Sequence, residues 1–152
     1  LGERTGNAAL EELMMGLHLL YGYDTNYKLD KIPELGKLIS ERANIPVARN
    51  KPVLGHGNFI RESGIGINFV MNDPLVMFGT HPSLTGKTGE VVLGKKSGKA
   101  SIIYKMGELG MGALQDEQIE NILDKVKAAG IAKRDVLTND EFKNIVAEVT
   151  TA

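Results

Sequence analysis

The side chains able to do chemistry are few: three histidines, one basic cluster and one polar turn. His56 sits in Gly55-His56-Gly57, where flanking glycines let an imidazole approach a ligand. His81 precedes Pro82, which favours an extended backbone there. Either ring could serve as a general acid or base, and either could be a silent loop residue. His18 lies in an apolar helical stretch beside Leu17 and Leu19 and reads as structural and partly exposed. No two histidines have metal-ligand spacing on one helix. Lys87, Lys95, Lys96 and Lys99 gather around Gly94 and Gly98. They could meet an anionic cofactor or form a solvated loop. Gly2-Glu3-Arg4-Thr5-Gly6-Asn7 is a tight polar turn at a helix N-terminus. Such ends attract anions and can turn a side-chain oxygen toward a ligand. Glu11-Glu12 needs no catalytic role, because early glutamates suit the helix dipole.

One apparent motif fails. Thr80 to Thr88 resembles the end of a phosphate-binding loop, but His81 stands where a further Gly is required. A strand, not a helix, is expected after Gly89. Nucleotide binding by this segment is therefore excluded.

The elements that position these groups follow from periodicity. Leu10, Leu13, Met14, Leu17 and Leu20 predict a helix over Ala8–Tyr21, with Asn7 as N-cap and Gly22 as stop. Leu29, Ile32, Leu35, Leu38 and Ile39 predict a second over Leu29–Ala43, with Pro33 in its first turn and Pro46 ending it. Val47–Gly89 is rich in Gly and Pro. It reads as a folded connector with a short helix around Phe59–Met71, because Phe59, Ile60, Ile65, Ile67, Phe69 and Val70 need burial. Glu90–Leu93 predicts a short strand, and Ser97 the cap of a helix through Lys105. Asp116 caps a helix with Ile119, Ile122, Leu123 and Val126, stopped by Gly130. Thr138 and Glu141 form a capping box for a last helix bearing Phe142, Ile145, Val146 and Val149.

Composition narrows the class. The 152 residues carry a net charge of -1, no footprint for nucleic acid or an anionic membrane. The sequence has no cysteine, hence no disulfide, thiolate nucleophile or Cys-ligated zinc. No apolar run nears the ~18 residues of a membrane-spanning helix, and no signal peptide is seen. A cytoplasmic setting is expected. Opening on a functional turn, with Leu1 rather than Met, reads as the rear part of something longer.

Several stretches, in order, resemble one enzyme family. Gly2-Glu3-Arg4-x-Gly6-Asn7 with Ala9-Leu10-Glu11-Glu12 resembles the last strand-to-helix turn of the isopropylmalate, homocitrate and citramalate synthases. Asn50-Lys51-Pro52-Val53-x-Gly55 and Glu62-Ser63-Gly64-Ile65 are similar to its next motifs. Asp73-Pro74, Pro82-x-x-x-Gly86 and Val92-Leu93-Gly94-Lys95-x-Ser97-Gly98-Lys99 follow collinearly.

The resemblance implies a mainly α chain with a little β. Residues 1–28 would end a (β/α)8 barrel, 29–84 form a connector subdomain and 85–152 a small helical subdomain. It implies condensation of acetyl-coenzyme A with a 2-oxo acid on a divalent metal (Mg, Mn or Zn). Asn7 would be one metal ligand, alongside an Asp and two His outside this chain. Lys95, Lys96 and Lys99 would meet coenzyme A phosphates. A homodimer is implied, together with a barrel-bearing remainder without which the chain is inactive. The rival readings are a non-catalytic assembly subunit of a split synthase and a lyase or aldolase relative. The chain also departs from the family pattern. Gly66 replaces a His after Ser-Gly-Ile, Met77-Phe78 stands near a usual Tyr, and Lys96 takes a position often held by His. His56 and His81 are the candidates to replace the lost acid-base group.

Overall fold

A computed structural model gives the fold and describes residues 5–151. The Gly2-Glu3-Arg4 part of the opening turn lies outside the described residues. Of the described residues, 55% are helical and few are in strands, in keeping with the mainly α expectation. Two compact units share it. The first takes residues up to Phe59 and then Phe78–Thr88; the second takes Ile60–Met77 and everything from Gly89 on.

In the first unit, α1 spans Leu10–Tyr21 and is capped by Ala9, not by Asn7. The Ala9 carbonyl accepts from Leu13 N–H at 3.0 Å, so the helix opens beyond Asn7. Gly22 ends it in the left-handed conformation, as its position predicts. The buried residues of α1 are Met14 and Met15, whereas Leu10, Leu13 and Leu20 are exposed. Among the described residues, nothing in the unit covers Leu10, Leu13 and Leu20.

A 3-10 turn at Leu29–Lys31 leads into α2, Ile32–Ala43, with Pro33 in its first turn. Asn44 closes α2 in the left-handed conformation, ahead of Pro46. Ile32 and Gly36 are its buried residues; Leu35, Leu38 and Ile39 stay exposed. Leu54 seats so closely on Gly36 that an added Cβ would lie 2.5 Å from its methyl. A second 3-10 turn, Pro82–Thr85, packs on Leu29–Lys31. Phe59 is buried edge-on to Phe78, with ring centroids 5.5 Å apart.

In the second unit, β1 (Ile60–Arg61) pairs in parallel with β2 (Glu90–Val91), Ile60 opposite Glu90. The strand expected at Glu90–Leu93 exists, but its ladder is shorter. Val92 N–H still reaches the Arg61 carbonyl at 2.9 Å, and Leu93 bridges to Leu137. The helix expected over Phe59–Met71 shrinks to α3, Ile67–Asn72. β1 claims its first residues, and Gly66 at φ 71° holds the backbone out of helix. Ile67 and Val70 are buried, while Ile65 and Phe69 are exposed.

α4 covers Lys99–Glu108 with Gly98, not Ser97, at its N-cap. α5 covers Asp116–Lys133, with Gln115 rather than Asp116 as cap. It runs through Gly130, which is buried against the 94–95 backbone rather than ending the helix. α6 covers Asn139–Thr151. Its capping box forms as predicted: Glu141 N–H donates to Thr138 Oγ1 at 3.2 Å, and Thr138 N–H to Glu141 Oε2 at 2.7 Å. The core of α4, α5 and α6 holds Ile102, Met106, Ile122, Val126 and Phe142. Each such buried side chain contributes about 1.5–3 kcal/mol.

The Glu141 carboxyl is held below its ordinary pKa, first by hydrogen bonds from Lys133 and then by the Thr138 N–H. A depressed folded pKa gives stability that is present above the unfolded value and lost as pH falls through the folded one. Thr138→Ala should cost about 1 kcal/mol at neutral pH. Glu141→Gln should remove part of the acid sensitivity. Urea denaturation at neutral and acidic pH measures both.

Candidate functional site

In the second unit the Glu62-Ser63-Gly64 and Leu93–Lys99 segments interlock. A Cβ on Gly64 would lie 2.8 Å from the Gly98 Cα, so the two backbones touch where neither has a side chain. Glu62 Oε1 accepts from Lys96 N–H at 2.9 Å, and the Glu62 carbonyl accepts from Ser101 Oγ at 3.3 Å. Ser97 Oγ accepts from Gly94 N–H at 2.9 Å, which explains why it cannot cap α4; Ser101 Oγ accepts from Gly98 N–H instead. Ser97 and Ser101 are both buried. The turn carrying Lys95 and Lys96 is thus fixed from beneath, and both residues are exposed. Lys99 is paired with Glu120, and that hydrogen bond raises its pKa.

Gly66 and Met77, both in this unit, are neighbours. A Cβ on Gly66 would lie 3.3 Å from the terminal methyl of Met77. Glycine and methionine place neither an acid-base group nor a hydroxyl at this corner. A side chain at 66 would also have to adopt a left-handed backbone.

In the first unit the chemistry gathers along residues 49–59 and 81–87. Lys51 Nζ pairs with Glu11 at 3.3 Å and with Glu12, and the Glu12 hydrogen bond is the main cause of its raised pKa. The Lys51 carbonyl accepts from Gly55 N–H at 2.8 Å and from Asn58 Nδ2 at 3.0 Å. Lys87 belongs to this unit, whereas Lys95, Lys96 and Lys99 belong to the second. Its Nζ lies 3.3, 3.3 and 3.5 Å from the carbonyls of Val53, Leu54 and Gly55. It also stands 5.9 Å from the centre of the Phe59 ring. Burial pulls its pKa below the ordinary lysine value.

His56 is exposed and lines an open depression of about 300 Å³ with Lys37, Ser40, Glu41 and Leu54. His81 has the extended backbone expected before proline and caps the Pro82–Thr85 turn. Its Nδ1 accepts from Ser83 N–H at 3.3 Å and lies 2.7 Å from Ser83 Oγ. In the neutral ring the proton then sits on Nε2. His18 is exposed on α1. Asn7 is exposed just after Gly6, which has φ 81°. Among the described residues, no group of three or more His, Cys, Asp or Glu could hold a metal. No described helix is long and apolar enough to cross a membrane.

Sequence reasoning missed the Glu62 carboxylate and the separate job of Lys87. Glu62 was visible in its motif, but its partner Lys96 lies far along the chain. For Lys87 the only signal was its spacing from the other lysines.

No family model matches the chain. Similar proteins nevertheless cover almost all of it. It is 34% identical over 150 residues to the (R)-citramalate synthase CimA of Methanocaldococcus jannaschii, 99% of this chain and 30% of that protein. It is 37% identical over 149 residues to the homocitrate synthase AksA of Methanopyrus kandleri, 98% of this chain and 37% of that protein. It is 38% identical over 152 residues to the 2-isopropylmalate synthase of Methanocaldococcus jannaschii, 98% of this chain and 29% of that protein. The chain spans about a third of the length of these relatives. With similarity along its length to all three, the chain belongs to the isopropylmalate, homocitrate and citramalate synthase family.

Proposed function

We propose that the chain is the C-terminal part of a metal-dependent acyltransferase that condenses acetyl-coenzyme A with a 2-oxo acid in a Claisen reaction. The observation that carries this reading is the match of nearly the whole chain to synthases named for three different products. Identity is similar to each, so this portion supports the shared chemistry and not one oxo acid. Choice of the oxo acid belongs to the remainder of the protein.

Asn7 is proposed as one ligand of a divalent cation, Mg, Mn or Zn, through its carboxamide oxygen. A hard cation accepts such an oxygen but needs several ligands. The others would come from the barrel-bearing remainder, so the 152-residue chain alone should bind metal weakly and be inactive. When bound, the metal supplies Lewis-acid polarisation of the ketone. His56 and His81 are proposed as replacements for the acid-base group absent at Gly66. His56 offers an exposed ring; His81 offers Nε2, since Nδ1 serves its cap. Lys95 and Lys96, on their rigid turn, would meet coenzyme A phosphates. Lys99 would do so only by leaving Glu120. A cytoplasmic homodimer completes the reading.

The full-length protein should release free thiol from acetyl-coenzyme A when offered its 2-oxo acid. No release with any of a broad panel would contradict the reading. Asn7→Ala should weaken Mn2+ or Mg2+ binding in calorimetric titration; unchanged affinity would remove Asn7 from the site. His56→Ala or His81→Ala should lower turnover ~10²- to 10⁴-fold, the usual weight of a general acid or base. Full activity in both variants would place the proton transfer elsewhere.

A further inference from the structure

Three consecutive carbonyls, those of Val53, Leu54 and Gly55, turn toward one ammonium group. Successive carbonyls do not converge this way in a strand or a helix, so the backbone is bent around the cation. The bend carries a cost. Val53 has φ 65°, a left-handed conformation that a β-branched side chain strongly resists. Such a residue costs about 1–3 kcal/mol and persists only where its surroundings hold it. The Val53 carbonyl is one of the three that Lys87 binds.

The rest of the turn is fixed by neutral bonds. Gly55 N–H donates to the Lys51 carbonyl at 2.8 Å, and Gly57 N–H to the Arg49 carbonyl at 3.1 Å. His56 lies between these two anchored amides. Leu54, in the cradle, seats on Gly36 and forms one wall of the depression whose other wall is α2. Pulling Leu54 and Gly55 outward would move His56 with them.

We propose that Lys87 is a positioning residue: its ammonium acts as a built-in cation that locks the 53–55 bend and so sets where His56 is presented at the rim of the depression. Three acceptors need three N–H donors, and among uncharged or shorter side chains none supplies them. The Lys87 stem crosses Phe59, so packing alone could hold it in place; charge and packing must be separated. The lock holds whichever reaction the protein performs.

Amide hydrogen exchange resolved at Gly55 and Gly57 in the full-length protein separates them. Lys87→Met keeps most of the stem and its contact with Phe59 but removes the charge. Exchange at Gly55 and Gly57 should rise roughly ten- to hundredfold, as expected for loss of charge-assisted hydrogen bonds. Exchange in α6 should be unchanged. The His56 ring resonance, assigned by its absence in His56→Ala, should shift in Lys87→Met. Lys87→Ala should behave likewise, and added methylammonium, but not sodium, should restore both signals. Unchanged exchange and an unchanged ring signal in Lys87→Met would overturn the proposal, since packing would then suffice. If Lys87→Met yields no folded protein, refolding of Lys87→Ala decides. Recovery with methylammonium and not with sodium supports the lock; recovery with neither overturns it.

Discussion

The contact between Gly64 and Gly98 is the constraint on which the second unit depends. Two backbone segments far apart in sequence touch there: a Cβ on Gly64 would lie 2.8 Å from the Gly98 Cα, and one on Gly98 3.2 Å from the Gly64 Cα. Because they touch, Glu62 comes within reach of the Lys96 amide, and the Glu62 carbonyl within reach of the buried Ser101 hydroxyl. Gly130 adds a second close approach, from α5 onto Gly94 and Lys95. The short parallel pairing of β1 with β2 leads straight into this junction. Backbone contact of this kind gains dispersion and excludes water, but it tolerates no added atom. The most motif-rich part of the chain is thus first a structural joint. The same contacts fix the turn that holds Lys95 and Lys96 exposed.

The first unit works by a different principle. Its buried set is small, and much of its apolar surface on α1 and α2 remains exposed. Charged groups organise its loops instead. Lys51 is held by Glu11 and Glu12, and Lys87 by three carbonyls and an aromatic face. Exposed ion pairs contribute little, typically below about 1 kcal/mol. A half-buried ammonium with several acceptors contributes more, because its donors would otherwise lose water without replacement. This explains how a strained Val53 is tolerated next to the His56 turn.

Much of the fold was legible in the sequence where local rules decide it. The Thr138–Glu141 box, the Gly22 stop, Pro33 in the first turn of α2 and the α5 core residues all follow from short-range chemistry. The errors have two causes, competing local hydrogen bonds and tertiary contact. Asn7 and Ser97 are good capping residues, yet the helices open at Ala9 and Gly98; Ser97 is taken by Gly94 N–H. Gly130 looks like a stop but is a contact surface. The leucines of α1 and α2 have the right spacing for burial, but periodicity gives a face and not its partner. For the site, the collinear motifs pointed to the family. They did not reveal that Gly66 and Met77 are adjacent, or that Lys87 serves a different unit from Lys95 and Lys96.

The central claim is that the Gly64–Gly98 contact is a joint with no room for a side chain. Equilibrium denaturation of Gly64→Ala beside Gly112→Ala tests it most directly, because nothing lies within 4 Å of a Cβ at Gly112. The same methyl group is added in both. Gly64→Ala should lose about 1–3 kcal/mol, the usual cost of overpacking, while Gly112→Ala should lose nothing. Equal midpoints for Gly64→Ala and the parent protein would contradict the account.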